Sequence, residues 1–272
     1  MYKLIALDID GTLLNSEKKI TEDVYNSIQK AKQQGAKVVL STGRPLPGVT
    51  PLLNELNLTE EGDYVICFNG AVVQEVKSKN VISNIEMCHE DFKIIYELSK
   101  QLNTHVHINT PTNLIIPEET PHKYTVHESN LNGIGIVSMN ENDINDDITF
   151  CKIMIIDDPE KLEEVINNIP NELYEKYTIV RSAPFFLEFL NKSANKGTAL
   201  TALCETIDIP IEKSIAVGDE ENDQHMIKLA GLGVAMGNAR DSIKEIADYI
   251  TKTNNEHGVA HVIDKFILEN IG

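Results

Sequence analysis

The sequence predicts an α/β fold in which a parallel-sheet core is interrupted by an inserted α+β domain. Three observations carry this. Short apolar runs alternate with amphipathic helical segments toward both ends of the chain, the pattern of βαβ units. That alternation breaks down in the middle, where close-set strands dominate. Polar residues recur just past the apolar runs, at Asp8, Thr42, Asn69 and Asp219. Open parallel sheets gather ligand sites at that edge. The 272 residues are enough for two ordinary domains.

The apolar run Leu4-Ile5-Ala6-Leu7 reads as a buried strand ending at Asp8-Ile9-Asp10-Gly11. Thr21 can cap a helix that runs to about Gln34 and ends at Gly35. Lys37 to Leu40 is a second short strand, followed by Ser41-Thr42-Gly43-Arg44-Pro45. A helix is expected over Val49 to Leu56, then a third strand over Tyr64 to Phe68 that ends at Asn69-Gly70-Ala71. Short hairpin strands follow between Val72 and Ile85.

The insert, residues 84–188, should hold a helix over Asp91 to Leu102 and strands over His105 to Ile108 and Asn113 to Ile116. A helix over Glu119 to Glu128 and an exposed acidic loop over Asn140 to Asp147 come next. A strong strand at Lys152 to Ile156 leads into a helix from Pro159 to Asn168. Thr178 to Arg181 and Phe185 to Leu190 form an antiparallel pair. Alternation then returns: helix Lys196 to Thr206, strand Ser214 to Val217, helix Glu221 to Leu229 and strand Leu232 to Ala235. A helix over Asp241 to Ala247, a short strand at Tyr249-Ile250 and a helix over Gly258 to Ile267 complete the pattern.

Composition narrows the function. The chain carries 24 basic against 42 acidic residues, a formal net charge of −18, and shows no basic tract. Nucleic acid needs a Lys/Arg footprint, so neither nucleic acid nor an anionic membrane surface is expected as a partner. A small anionic substrate stays open, because a local pocket can oppose the global field. Cys67, Cys88, Cys151 and Cys204 form no C-x-x-C pair, and Cys67 and Cys151 sit in apolar runs that suit buried thiols. No signal peptide or membrane-spanning stretch is evident, so a cytoplasmic protein is expected. Oligomeric state is not legible.

The chemistry gathers at the strand ends. Side chains alternate along a strand, so Asp8 and Asp10 should face one way. Two carboxylates that close repel unless a metal or a proton lies between them. The alternative is a plain Asx turn before Gly11. The Thr42 hydroxyl and nearby backbone N–H groups could hold a phosphoryl oxygen, or Thr42 could cap the next helix. Arg44 precedes a proline and reads as a loop guanidinium suited to phosphate or to a surface ion pair. Lys196 stands in the first turn of a helix, where a cation opposes the macrodipole unless an anion binds between them. In Gly218-Asp219-Glu220-Glu221-Asn222-Asp223, Asp219 is placed for a hard cation and Asp223, one turn on, can face the same way.

Taken in order, Asp8-Ile9-Asp10-Gly11-Thr12, Thr42-Gly43-Arg44, Lys196-Gly197 and Gly218-Asp219 with Asn222-Asp223 resemble the four motifs of the haloacid dehalogenase superfamily. Asn69-Gly70-Ala71 and Ala235-Met236-Gly237-Asn238-Ala239 resemble its Cof-type phosphatases. The resemblance spans the whole chain. It implies a Rossmann-like catalytic core over 1–83 and 189–272 and an inserted substrate-specificity cap over 84–188. It also implies that Asp8 is the nucleophile, forming an aspartyl-phosphate, and that Asp10 is the general acid and then the base. Thr42, Gly43, Arg44, Asn69, Lys196 and Asn222 would hold the phosphoryl group and substrate. Magnesium would be held by Asp8, a main-chain oxygen near Asp10, and Asp219, with Asp223 in support. The implied reaction is magnesium-dependent hydrolysis of small phosphorylated metabolites, sugar phosphates first. The alternatives are a phosphotransferase or mutase of the same architecture, or a non-catalytic sensor of a phosphorylated ligand. After Asn222-Asp223 the chain has Gln224-His225 where such proteins commonly have an apolar residue, and His225 is expected to be a solvated helix position.

Overall fold

Four apolar residues with no solvent exposure, Leu4–Leu7, form β1 inside an eight-stranded sheet of the computed structural model, which describes residues 1–269. Along the chain, β1 is followed by α1 (Glu22–Gln33), β2 (Lys37–Ser41), α2 (Leu46–Glu55), β3 (Tyr64–Cys67), β4 (Val72–Glu75) and β5 (Val81–Asn84). The chain then builds a second sheet with its helices: α3 (His89–Gln101), β6 (His105–Asn109), β7 (Asn113–Ile116), α4 (Lys123–Asn132), β8 (Gly135–Ser138) and β9 (Lys152–Ile156). These are followed by α5 (Pro159–Asn167), α6 (Asn171–Lys176), β10 (Tyr177–Ala183) and β11 (Phe186–Asn191). It returns through α7 (Lys196–Thr206), β12 (Ser214–Gly218), α8 (Gln224–Leu229), β13 (Leu232–Ala235), α9 (Asp241–Lys244), β14 (Tyr249–Ile250) and α10 (Gly258–Ile263).

The first sheet has the order β14-β13-β12-β1-β2-β3-β4-β5. β1 pairs in parallel with both β12 and β2, and β3 extends the parallel run before β4 turns back antiparallel. Register sets Leu7 beside Val217 on one side and Leu40 on the other. The C-terminal ends of β1, β2, β3 and β12 therefore share one edge; Asp8, Thr42 and Asp219 directly follow their strands, and Asn69 lies in the 3₁₀ turn Phe68–Gly70 after β3. Leu4, Ala6, Val39, Ile66 and Ala216 cover one face of the sheet and pack with Leu200 and Leu203 of α7. Burying a leucine or isoleucine contributes about 1.5–3 kcal/mol, so this layer anchors the strand ends.

The second sheet has the order β10-β11-β9-β6-β7-β8 and its own core of Phe92, Ile95, Phe150, Ile153, Leu187 and Phe189 with their neighbours. The chain divides into two units, one of Met1–Gly43, Thr50–Ser83 and the chain from Asn195 on, the other of Arg44–Val49 and Asn84–Ala194. The expected return at residue 188 falls inside β11, whose ladder with β9 and β10 keeps Phe186–Asn191 in the second sheet.

Several elements differ from expectation for local reasons. α2 begins at Leu46, earlier than residue 49, because Pro47 in the first turn lacks only an N–H that would be unpaired there. α4 starts at Lys123 with His122 as its cap rather than at Glu119, since Pro121 drives the residue before it out of the helical region. β8 and α6 were not expected. β8 is a largely exposed edge strand, and α6 buries none of its residues, so neither leaves a hydrophobic signature. Glu221–Asp223 is a 3₁₀ turn before α8, and Asp264–Leu268 winds as a π-helix after α10. Thr21 caps α1 without a side-chain bond; its hydroxyl pairs with His257 Nδ1 at 2.9 Å instead. Cys67 and Cys151 are buried, as expected. Among the described residues no helix is long and apolar enough to cross a membrane.

Candidate active site

Lys196 organises the strand-end edge. It is the first residue of α7 and has no solvent exposure. Its Nζ donates to Asp8 Oδ1 at 2.5 Å and to Asp223 Oδ1 at 2.6 Å. The helix start is fixed by Asn195, whose side chain accepts from the N–H groups of Gly197 and Thr198. Gly70, at φ +99°, lies so close that a Cβ there would meet the Asn195 carbonyl oxygen at 2.2 Å. The turn after β3 and the start of α7 are thus pressed together, and a side chain at Gly70 would push Lys196 from its place.

Asp8, Asp219 and Asp223 each bring one carboxylate oxygen within 4.8 Å of the others, and all three are buried. Asp223 is fully committed: Oδ2 accepts from the backbone N–H groups of Asp219 at 2.9 Å and Glu220 at 3.1 Å, while Oδ1 takes Lys196. Gly218 leaves it room, since a Cβ there would meet the Asp223 carboxylate at 2.4 Å. Asp219 Oδ1 accepts from the Thr12 hydroxyl at 2.8 Å, and its Oδ2 lies under Gly11, where a Cβ would stand 2.2 Å away. Among the described residues Asp8 Oδ2 and Asp219 Oδ2 accept no hydrogen bond. These two oxygens are open to a ligand.

The charge balance favours a cation. Three carboxylates face one lysine in a buried site. Burial, with the Asp223 and Asp219 charges acting the same way, pushes the Asp8 carboxyl up to about 7 against the pull of Lys196. Burial likewise raises Asp219 to about 6, although its Thr12 bond works the other way. Burial disfavours the Lys196 charge, but Asp223 and Asp8 overcome it and hold the ammonium above its ordinary range. A small hard cation that takes one or two carboxylates fits the two open oxygens and the surplus negative charge.

This arrangement makes stability depend on pH and metal together. Asp8 and Asp219 have folded pKa values above their unfolded ones, so their contribution is fully present below about pH 4 and is lost as pH rises through about 6 to 7. A divalent cation at these oxygens would bind the ionised carboxylates and offset that loss. At about 100 times its dissociation constant, Mg²⁺ should raise the melting temperature by roughly 5–10 °C at pH 8 and by much less at pH 5. Equal shifts at both pH values, or none with Mg²⁺, would contradict the cluster's role; differential scanning calorimetry with and without chelator reads this.

The other expected residues fall as follows. Thr42 is buried, and its backbone bridges β3 by donating to the Ile66 carbonyl at 2.9 Å and accepting from Asn69 N–H at 2.9 Å. Asn69 sits at φ 54° and accepts the Asn222 amide at 3.0 Å. A Cβ on Gly43 would meet the Asn69 amide at 3.2 Å, so Gly43, Asn69 and Asn222 form one packed set. Arg44 lies where the chain passes into the second unit and is no member of the carboxylate cluster. The Asp10 side chain does not join that cluster either; it is 46% exposed and pairs with Lys18 at 2.9 Å. β1 ends at Leu7, so strand alternation does not govern Asp8 and Asp10. His225 is exposed on α8.

Sequence reasoning gave no role to Thr12 or Asn238. Thr12 anchors Asp219, and Asn238 donates to the Gly11 carbonyl at 2.8 Å, which holds the turn that carries Asp10. The one available signal was a threonine directly after a carboxylate-glycine turn, and threonine is too common in turns to stand out.

The chain matches the family model of haloacid dehalogenase-like hydrolases over residues 5–263. It is 45% identical to "Putative phosphatase YxeH" of Bacillus subtilis, covering 98% of this chain and 99% of that one. It is 35% identical to the 5-amino-6-(5-phospho-D-ribitylamino)uracil phosphatase YcsE of the same organism, covering 98% and 96%. A solved haloacid dehalogenase-like hydrolase from Bacteroides thetaiotaomicron superposes with a TM-score of 0.83 at 36% identity, covering 97% of this chain and 99% of the other.

Proposed function

The chain belongs to the haloacid dehalogenase-like hydrolases, and from that premise we propose that it is a magnesium-dependent phosphatase of small phosphorylated metabolites, sugar phosphates foremost. The observation that carries the reading is the Asp8 carboxylate, clamped through one oxygen by buried Lys196 and open at the other. Relatives named as phosphatases support the reaction class, and the ribityl phosphate in one relative's name supports a small polyol or sugar ester.

In this reading one Asp8 carboxylate oxygen attacks phosphorus while the other faces the charges that balance the site; a bond forms between oxygen and phosphorus, and the ester P–O bond breaks. The departing alkoxide takes a proton from Asp10. Water then attacks the aspartyl-phosphate; Asp10 accepts its proton, the Asp8–phosphorus bond breaks, and inorganic phosphate leaves. The exposed Lys18 pair at Asp10 costs about 0–1 kcal/mol to break, so it does not obstruct this proton traffic. Lys196 keeps Asp8 oriented and balances charge as it accumulates, while Asp223 holds Lys196. Thr42, Gly43, Asn69 and Asn222 line the same sheet edge and bind the phosphoryl group and its ester. Magnesium, held by Asp8, Asp219 and a backbone oxygen near Asp10, would screen charge between nucleophile and phosphate. Asp10 also favours phosphate-ester chemistry, since an acid there protonates an alcohol leaving group.

The test is release of inorganic phosphate from a panel of phosphorylated metabolites with Mg²⁺ and with chelator. Activity on sugar or polyol phosphates, lost with chelator and restored by Mg²⁺, is expected. Turnover that is indifferent to chelator, or transfer of phosphate to a second sugar without release, would refute the reading.

A further inference from the structure

The second unit holds a cluster that the phosphatase reading does not use. His105 opens β6, Asp157 directly follows β9, and His122 caps α4. The antiparallel ladder pairs His105 with Ile156, so backbone register brings Asp157 beside the imidazole. The His105 Nδ1 to Asp157 Oδ2 distance is 3.1 Å. The His122 ring stacks on His105 with centroids 4.3 Å apart and planes 18° from parallel. One ligand atom from each of the three lies within 4.8 Å of the other two.

We propose that His105, His122 and Asp157 form a binding site for a divalent transition-metal ion of the zinc type, distinct from the carboxylate cluster around Asp8. Four arguments support it. Two imidazoles and a carboxylate suit zinc and its borderline neighbours, whereas magnesium prefers oxygen ligands alone. Three protein ligands leave a further position for water, as in open zinc sites. His122 Nδ1 is buried and has no hydrogen-bond partner, an unmet ring nitrogen that a cation would satisfy. The cleft at His105 and Asp157 is also lined by Asp158, Glu160 and Glu164, which attract cations. Two cations oppose this: Lys161, which lines the same cleft and pairs with Glu164 at 2.7 Å, and Lys123, which pairs with Asp158 at 2.5 Å, so the acidic surplus there rests on Asp157 and Glu160.

The ligands arrive on a strand start, a strand end and a helix cap, so backbone geometry holds them rather than a mobile loop. A bound ion would tie β6, β9 and the start of α4 together and so stabilise the second unit by mass action.

The test titrates metal-stripped full-length protein with Zn²⁺ against a chromophoric chelator, in excess Mg²⁺ to occupy the carboxylate cluster. One equivalent of Zn²⁺ should bind to the wild-type protein and to Asp219→Asn. His122→Ala and His105→Ala should each weaken that binding at least about tenfold. Co²⁺ in place of Zn²⁺ should give visible bands of low-coordinate geometry that disappear in His122→Ala. Circular dichroism identifies any variant that fails to fold, and the two histidines lie on different elements, so either can carry the test. Zn²⁺ binding unchanged in both histidine variants, or absent from the wild-type protein in Mg²⁺, would overturn the proposal. The phosphatase reading stands or falls separately, on phosphate release.

Discussion

Replacing Asp8 with asparagine should lower phosphate release at least about 10⁴-fold, the scale seen when a covalent nucleophile is removed, while the protein stays folded. The substitution is nearly isosteric. Its amide oxygen can still accept from Lys196 Nζ, which donates to Asp8 Oδ1 at 2.5 Å, so the clamp need not move. What goes is the nucleophilic anion, because an amide cannot attack phosphorus at a useful rate. Stability should move the other way. Asp8 is one of three buried carboxylates facing a single lysine, and burial drives its carboxyl up to about 7. Removing one buried charge from an acidic surplus should leave the metal-free melting temperature level or higher at pH 8. Opposite signs for activity and stability separate a chemical role from a structural one. Residual activity within tenfold of wild type would remove Asp8 as nucleophile, and a collapse in stability would show that its charge is structural.

The strand-end edge was legible because parallel strands leave few places for polar residues after apolar runs. Asp8, Thr42, Asn69 and Asp219 could be placed from sequence, since each follows a buried run that can only be a strand. Lys196 was legible from its conflict with the helix dipole, which the structure resolves with two carboxylates. Asp10 shows the limit. Alternation predicts a shared face with Asp8 only while the strand lasts, and β1 stops at Leu7. Asp223 shows another limit: its spacing placed it by Asp219, but sequence could not reveal that both its oxygens are spent on Lys196 and backbone N–H groups. The Thr12 bond to Asp219 joins residues 207 apart in sequence, and the Gly11 approach to Asp219 is as remote. The second unit was read less well because its edge strand β8 and helix α6 bury little.

Lys196→Met should be the most destabilising single change to the site, and in a way that pH reveals. The side chain has no solvent exposure and satisfies two carboxylates at 2.5 and 2.6 Å. Methionine fills a similar volume but leaves Asp8 and Asp223 buried without a counter-charge, a loss of about 3–5 kcal/mol at neutral pH for a broken buried pair. The carboxylates can escape this only by taking up protons. Asp8 already titrates at about 7 with the lysine present, and its removal moves that upward. The variant's folded state then keeps the Asp8 proton to higher pH than the wild type's does, so its deficit should grow as pH rises through about 7 and beyond, and shrink as pH falls. Urea unfolding at pH 5 and pH 8 should show the larger gap from wild type at pH 8. Mg²⁺ should narrow that gap at pH 8, because a cation on the open oxygens of Asp8 and Asp219 supplies part of the missing charge. Activity should not return with it: the ion cannot also orient Asp8 through Oδ1, so turnover should stay at least about 10²-fold down. A gap below about 1 kcal/mol at pH 8, or one that is the same at both pH values, would mean that Lys196 does not balance the cluster. Recovery of full turnover in Mg²⁺ would mean that its charge, and not its position, is what the reaction uses.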